Sequence, residues 1–189
     1  MINLRLPAEW ELQDAIQIAF PSRTSDWLVY WDEVVPCYIH IIETIATYQP
    51  LIIVCDDVTD LNHYLKSIDR KNIYIIETEI NDTWARDHAA ITVQQEDSFL
   101  IYNFVFNGWG LKFAADKDNL ITGELWDKGI YNAKELIHPG LVLEGGSIES
   151  DGRGTLLTTT HCLLSPNRNP HLTKLQIENK LKELFGLKN

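Results

Sequence analysis

Hydrophobic and polar positions change period several times along this chain, and each change marks an element. Ala15–Ala19 reads as a short strand. Trp31, Val34, Tyr38, Ile41, Ile42 and Ile45 then recur at helical spacing. Pro36 lies inside that pattern, which predicts a helix that starts near it or kinks there. Leu51–Cys55 is an uninterrupted apolar run after Pro50, the mark of a strand buried on both faces. A short helix around Thr59–Ser67 and a strand at Ile73–Ile76 follow.

Ala90–Gln94 and Phe99–Phe106 read as two further strands joined by the polar turn Gln-Glu-Asp-Ser. Residues 114–138 are mixed, and the pattern supports one short helix there. Leu141–Ile148 and Gly154–Thr160 flank Asp151-Gly152, a strong hairpin signal. The last element is the clearest. Thr173 and Gln176 have capping-box spacing, Ile177, Leu181, Leu184 and Phe185 form one apolar stripe, and Gly186 ends it. Short strands alternating with helices predict an α/β fold.

The 189 residues carry 16 Lys and Arg against 27 Asp and Glu, a formal net charge of -11. That balance argues against a nucleic-acid groove, which needs cationic side chains along phosphates, and suits a small cationic ligand. With 45% hydrophobic and 23% charged residues the chain has the composition of a globular domain. No apolar run reaches the roughly 20 residues of a membrane helix. Met1 is not followed by a secretory leader, so a cytoplasmic location is expected and no membrane partner. Cys37, Cys55 and Cys162 are widely spaced and predict inert buried thiols, with neither a disulfide framework nor a zinc site. The six histidines show no ligand spacing, so no metal and no cofactor is expected.

Two acidic motifs carry candidate chemistry. One is Asn81-Asp82-Thr83-Trp84-Ala85-Arg86-Asp87-His88; the other runs from Leu143-Glu144-Gly145-Gly146 to Asp151-Gly152. Each places a carboxylate where a strand meets a loop, and two glycines after Glu144 allow a ligand close to the backbone. Taken singly, each motif has a commoner structural reading: Asp87 pairs with Arg86 or caps a turn, and Gly145-Gly146 is a bulge. A third cluster, Phe106-Asn107-Gly108-Trp109-Gly110-Leu111-Lys112, fits a turn with a partly buried tryptophan. His161-Cys162 looks like a dyad, but neighbours in an extended strand point to opposite faces, so the pair is assigned to structure.

In combination and in order, these motifs resemble the agmatine deiminase family, the branch of the guanidine-modifying superfamily that includes the Porphyromonas-type peptidylarginine deiminases. The likeness also takes in Arg5-Leu6-Pro7-Ala8-Glu9-Trp10, Phe20-Pro21, Ser25-Asp26-Trp27, Gly154-Thr155, Cys162-Leu163-Leu164 and Asn167-Arg168-Asn169-Pro170. The resemblance implies a five-bladed pentein-type α/β propeller of ββαβ-like units, of which this chain is the N-terminal portion. It implies hydrolysis of agmatine to N-carbamoylputrescine and ammonia, in putrescine biosynthesis, with deimination of peptidyl-arginine and an inactive guanidinium-binding module as alternatives. It assigns guanidinium binding to Asp87, guanidinium contact and proton handling to Glu144, and a place in the substrate pocket to Trp84. A small guanidino compound is the expected partner, and a homo-oligomer is left open.

The chemistry is consistent with that assignment. A guanidinium is planar, permanently charged and rich in N–H donors, so opposed carboxylates can hold it by paired hydrogen bonds and present its carbon to a thiolate. Two departures stand out. Asp87 is followed by His88-Ala89-Ala90 where the family has one residue and then Gly-Pro or a similar small pair, and the chain ends at Gly186-Leu187-Lys188-Asn189 before a His-x-Asp motif or a Gly-Gly…His-Cys motif. The isolated chain is therefore expected not to turn over agmatine. Asp87→Asn and Glu144→Gln are expected to abolish activity of the longer protein while leaving its melting temperature nearly unchanged.

Overall fold

The computed structural model describes residues 4–188. The chain divides into two compact units, one made of Met1–Glu11, Arg86–Ala115 and Thr122–Asn189, the other of Leu12–Ala85 and Asp116–Ile121. Each has its own hydrophobic core.

The second unit is built on a parallel sheet in the order β2 (Ile16–Ala19), β3 (Leu51–Cys55), β4 (Ile73–Glu77). Ile16 to Ala19 align with Leu51 to Val54, and Leu51 to Cys55 with Ile73 to Glu77. Parallel neighbours need a crossover, and α1 (Trp31–Tyr48) and α2 (Val58–Tyr64) supply it. β3 is central, which is why its run is continuously apolar: Leu51, Ile53, Val54 and Cys55 are buried. The helix α1 runs through Pro36 and is preceded by a 3₁₀ turn over Asp26–Tyr30, capped by the Ser25 hydroxyl. Asp57 caps α2 by accepting from the Thr59 and Asp60 N–H groups.

The first unit holds a four-stranded sheet in the order β1 (Leu4–Arg5), β5 (Ile91–Gln95), β6 (Ser98–Tyr102), β7 (Glu135–Ile137), and a two-stranded hairpin of β8 (Ile148–Ser150) and β9 (Leu156–Thr158). The single-turn elements α3 (Ala85–His88) and α4 (Gly108–Leu111), the helix α5 (Asp118–Asp127), the short α6 (Thr160–Leu163) and the C-terminal α7 (Lys174–Phe185) complete the inventory of helices. Phe185 is fully buried and packs against Tyr102 and Phe104, with ring centroids 6.1 and 5.8 Å away. The capping box of Thr173 and Gln176 is formed, and Gly186 adopts a left-handed φ of 64°.

Several expectations change. Phe99–Phe106 stops as a strand at Tyr102; the Asn103 N–H still donates to the Ile137 carbonyl, and beyond it Val105 makes an isolated bridge to Val142. Leu141–Ser147 is accordingly not a strand; it ends in a 3₁₀ turn over Gly145–Ser147. The mixed stretch hides β7 beside the ten-residue α5. His161-Cys162 lies in helix α6, not in a strand, so the geometric reason first given for separating the pair does not apply. Cys55 alone is a buried thiol, pushed up to about 12 by burial, whereas Cys37 is exposed and Cys162 half-buried. The succession β5, β6, helix, β7 is of the ββαβ type, but the second unit runs β-α-β-α-β. Among the described residues no sheet closes on itself.

Candidate functional site

Asp87, in the single turn α3, is half-buried in the first unit. Its Oδ2 accepts from the indole Nε1–H of Trp109 at 3.3 Å, and its Oδ1 from the backbone N–H of Gly146 at 3.2 Å. Both donors are neutral. Arg86, the adjacent cation in sequence, is directed away to an ion pair with Glu9. Burial raises the Asp87 carboxyl above its ordinary range, opposed by the two hydrogen bonds and by the charge of Arg86. Asp87 is thus a partly desolvated anion whose charge is incompletely compensated.

Glu144 is buried, 3% exposed, immediately before Gly145-Gly146. Its two oxygens share the Nε–H of Arg168, at 2.8 and 3.0 Å. Arg168 is itself nearly enclosed, with a side chain 11% exposed. Asp87 and Glu144 are therefore brought to one loop through Gly146, 59 positions after Asp87. The double glycine has a steric reason. A Cβ on Gly145 would run into the carbonyl oxygen of Arg86, and a Cβ on Gly146 into the Asp87 carboxylate. The close approach that demands both glycines is to the protein's own backbone and side chain.

The tryptophan that grips Asp87 sits in an unusual turn. Gly108, Trp109, Gly110 and Leu111 all have positive φ, between 57° and 81°, so α4 is one turn of left-handed helix. Left-handed backbone costs a non-glycine residue about 1–2 kcal/mol, so Trp109 and Leu111 hold this conformation only because their surroundings impose it. Asn107 accepts from the Gly110 N–H and caps the turn. Phe106 and Phe113 then meet the Trp109 ring edge-on, with centroids 5.0 and 5.6 Å away. At Gly108 a Cβ would strike the Phe113 carbonyl, so that glycine is required twice over.

Of the three residues singled out in the sequence, Asp87 and Glu144 share this loop region. Trp84 belongs to the second unit and is 53% exposed. Sequence reasoning missed Trp109 as the donor to Asp87 and Arg168 as the partner of Glu144. The signals were there, an aromatic between two glycines and an arginine in Asn-Arg-Asn-Pro, but nothing local says what they touch. Among the described residues no group of three His, Cys, Asp or Glu side chains is arranged to hold a metal. No helix among them is long and apolar enough to cross a membrane.

The fold and site together define an α/β protein in which a half-buried aspartate accepts from the glycine-rich loop that follows a buried glutamate. The sequence profile of the Porphyromonas-type peptidyl-arginine deiminases matches residues 5–189, and the chain belongs to that family. The agmatine deiminase of Pseudomonas syringae pv. syringae is 33% identical over 191 residues, an alignment covering 98% of this chain and 51% of that protein. The C315S agmatine deiminase of C. jejuni, solved with substrate bound, superposes with a TM-score of 0.91 at 34% identity, over 99% of this chain and 55% of that one. A Porphyromonas gingivalis chain provisionally named an arginine deiminase superposes with a TM-score of 0.90 at 40% identity, over 98% and 56%. The chain spans about half the length of the curated relatives it matches.

Proposed function

We propose that this chain supplies the guanidinium-holding part of an agmatine deiminase whose complete fold is a five-bladed α/β propeller. One observation carries the reading: Asp87 is a partly desolvated carboxylate held by two neutral donors, one of them in the loop that follows the buried Glu144. A guanidinium supplies the missing charge and the planar array of N–H groups that two carboxylates can accept. Membership of a deiminase family and the 33% identity to an agmatine deiminase support the choice of cation.

The reaction follows from that grip. A thiolate adds to the guanidinium carbon, ammonia departs with a proton from a neighbouring acid, and water then displaces sulfur to leave a ureido group and the free thiol. Atoms balance as agmatine plus water giving N-carbamoylputrescine plus ammonia, a step towards putrescine. The nucleophile and its proton donor are assigned, on resemblance, to the family's Gly-Gly…His-Cys and His-x-Asp motifs. Trp84 is assigned to the substrate pocket on resemblance. The family description also names peptidyl-arginine, which presents the same cation on a larger body.

The test is an NMR titration of the chain with agmatine and, separately, with an N-acetylated arginine amide. The Trp109 indole N–H and the Gly146 N–H report directly on Asp87. Agmatine should shift both, and Asp87→Asn should weaken binding at least about tenfold, the loss of a charge-assisted partner. Because only the ionised carboxylate attracts the cation, binding should fall on acidification, beginning above the ordinary carboxylate range. Equal binding by wild type and Asp87→Asn would sink the assignment, and preference for the arginine amide would move it to the peptidyl substrate.

A further inference from the structure

The segment Asn167-Arg168-Asn169 is pinned on both sides of its arginine. The Asn167 carbonyl accepts from the Asn107 Nδ2 at 2.8 Å, which ties it to the left-handed turn. Asn169, buried at 3% exposure, mimics a strand neighbour of Val142: its Oδ1 accepts from the Val142 N–H at 3.0 Å and its Nδ2 donates to the Val142 carbonyl at 2.8 Å. Arg168 is therefore projected from a backbone anchored both to the turn that carries Trp109 and to the strand-like stretch that leads into Glu144.

Its side chain joins the same two places. The Nε–H is shared between both oxygens of Glu144. The guanidinium lies against Gly110, where a Cβ would stand 3.2 Å from Nη1 and 3.7 Å from Cζ. A ring of contacts closes: Asp87 to the indole of Trp109, Gly110 to Arg168, Arg168 to Glu144, and Gly146 back to Asp87. Each carboxylate oxygen has more than one lone pair, so Glu144 keeps acceptor capacity after meeting Arg168, while its charge is already matched.

We propose that Arg168 is the positioning residue of the site, which holds Glu144 in place as a charge-compensated acceptor and seats the turn that brings the Trp109 N–H to Asp87. An incoming cation is then attracted by Asp87 alone, and Glu144 contributes hydrogen bonding rather than net charge. This division of labour rests on the guanidinium reading above, but the positioning itself does not. A purely structural ion pair would stabilise the fold and leave the Asp87 donors indifferent to it.

Arg168→Lys and Arg168→Met separate the two roles in the 189-residue chain, studied well below the melting temperature by amide and indole NMR. Lys keeps the charge but loses the planar group beneath Gly110; Met loses both. The Trp109 indole N–H of both variants should move and exchange faster with solvent. Agmatine should bind three- to tenfold more weakly to Arg168→Lys, and at least about thirtyfold more weakly to Arg168→Met. Arg168→Lys carries the test if the Met variant fails to fold. If wild type ignores agmatine, the guanidinium reading fails, and the indole signal of Arg168→Lys still decides the positioning role. Folded variants whose Trp109 indole signal matches wild type, or whose agmatine affinity stays within twofold of it, overturn the proposal.

Discussion

Three carboxylates show how far the surroundings of a residue decide its behaviour. Asp87 and Glu144 both carry candidate chemistry in the sequence, but Asp87 meets neutral donors and Glu144 meets a guanidinium. The expectation that both can be removed without thermal cost therefore changes. Glu144→Gln strands Arg168 in a nearly enclosed place and should cost about 3–5 kcal/mol in a denaturant melt, whereas Asp87→Asn should cost much less. The third is Asp118, fully buried at the start of α5 in the second unit. Its Oδ1 accepts from the N–H groups of Asn81 and Asp82, at 2.7 and 3.3 Å, and its Oδ2 has no hydrogen-bond partner among the described residues. Burial pushes its carboxyl up to about 6, with Asp82 and Asp116 adding to the rise. The folded pKa lies above an unfolded value near ~3.9, so the unfolded chain ionises first as pH rises. The resulting penalty is absent below about pH 4, grows towards pH 6 and is complete above it, on the order of 2–3 kcal/mol. Asp118→Asn keeps the Oδ1 acceptor and should raise the stability at pH 7. Its unfolding free energy should also change less between about pH 4 and 6, and an unaltered pH profile would refute this account.

At the scale of elements, local chemistry accounts for much of what forms. The C-terminal helix was legible in full, cap, stripe and stop, because each signal depends on residues three or four apart. Gly186 illustrates a further tertiary demand. Its φ of 64° suits glycine, and a Cβ there would also collide with the Leu4 carbonyl of β1. Gly186→Ala should therefore cost at least about 2 kcal/mol, more than left-handed strain at an open surface position. Thermal melts of Gly186→Ala beside Gly129→Ala, where a Cβ meets nothing, would separate the two contributions. The weaker readings failed for a common reason. β7 is three residues long and pairs with β6 from 35 positions away, too short and too distant for periodicity to register. Leu141–Ser147 is apolar enough for a strand, but Glu144-Gly145-Gly146 bends to meet Arg86 and Asp87.

Each unit has its own core, one around Leu51, Ile53 and Leu61, the other around Tyr102, Phe104 and Phe185. Leu51→Ala should cost about 2–5 kcal/mol. It should speed hydrogen exchange in β2, β3 and β4 before it affects β5 and β6. Equal acceleration everywhere would show one cooperative unit instead. By itself the sequence determined the α/β class, the central apolar strand, the capped last helix and the family. These rest on patterns that neighbouring residues complete among themselves, or on motifs that survive as short strings. Tertiary structure alone decided who meets whom: Trp109 with Asp87 across 22 positions, Arg168 with Glu144 across 24, Gly146 with Asp87 across 59. A hydrogen bond acts over about 3 Å in space and leaves no period along the chain, so these partnerships become visible only when folding brings the distant segments together.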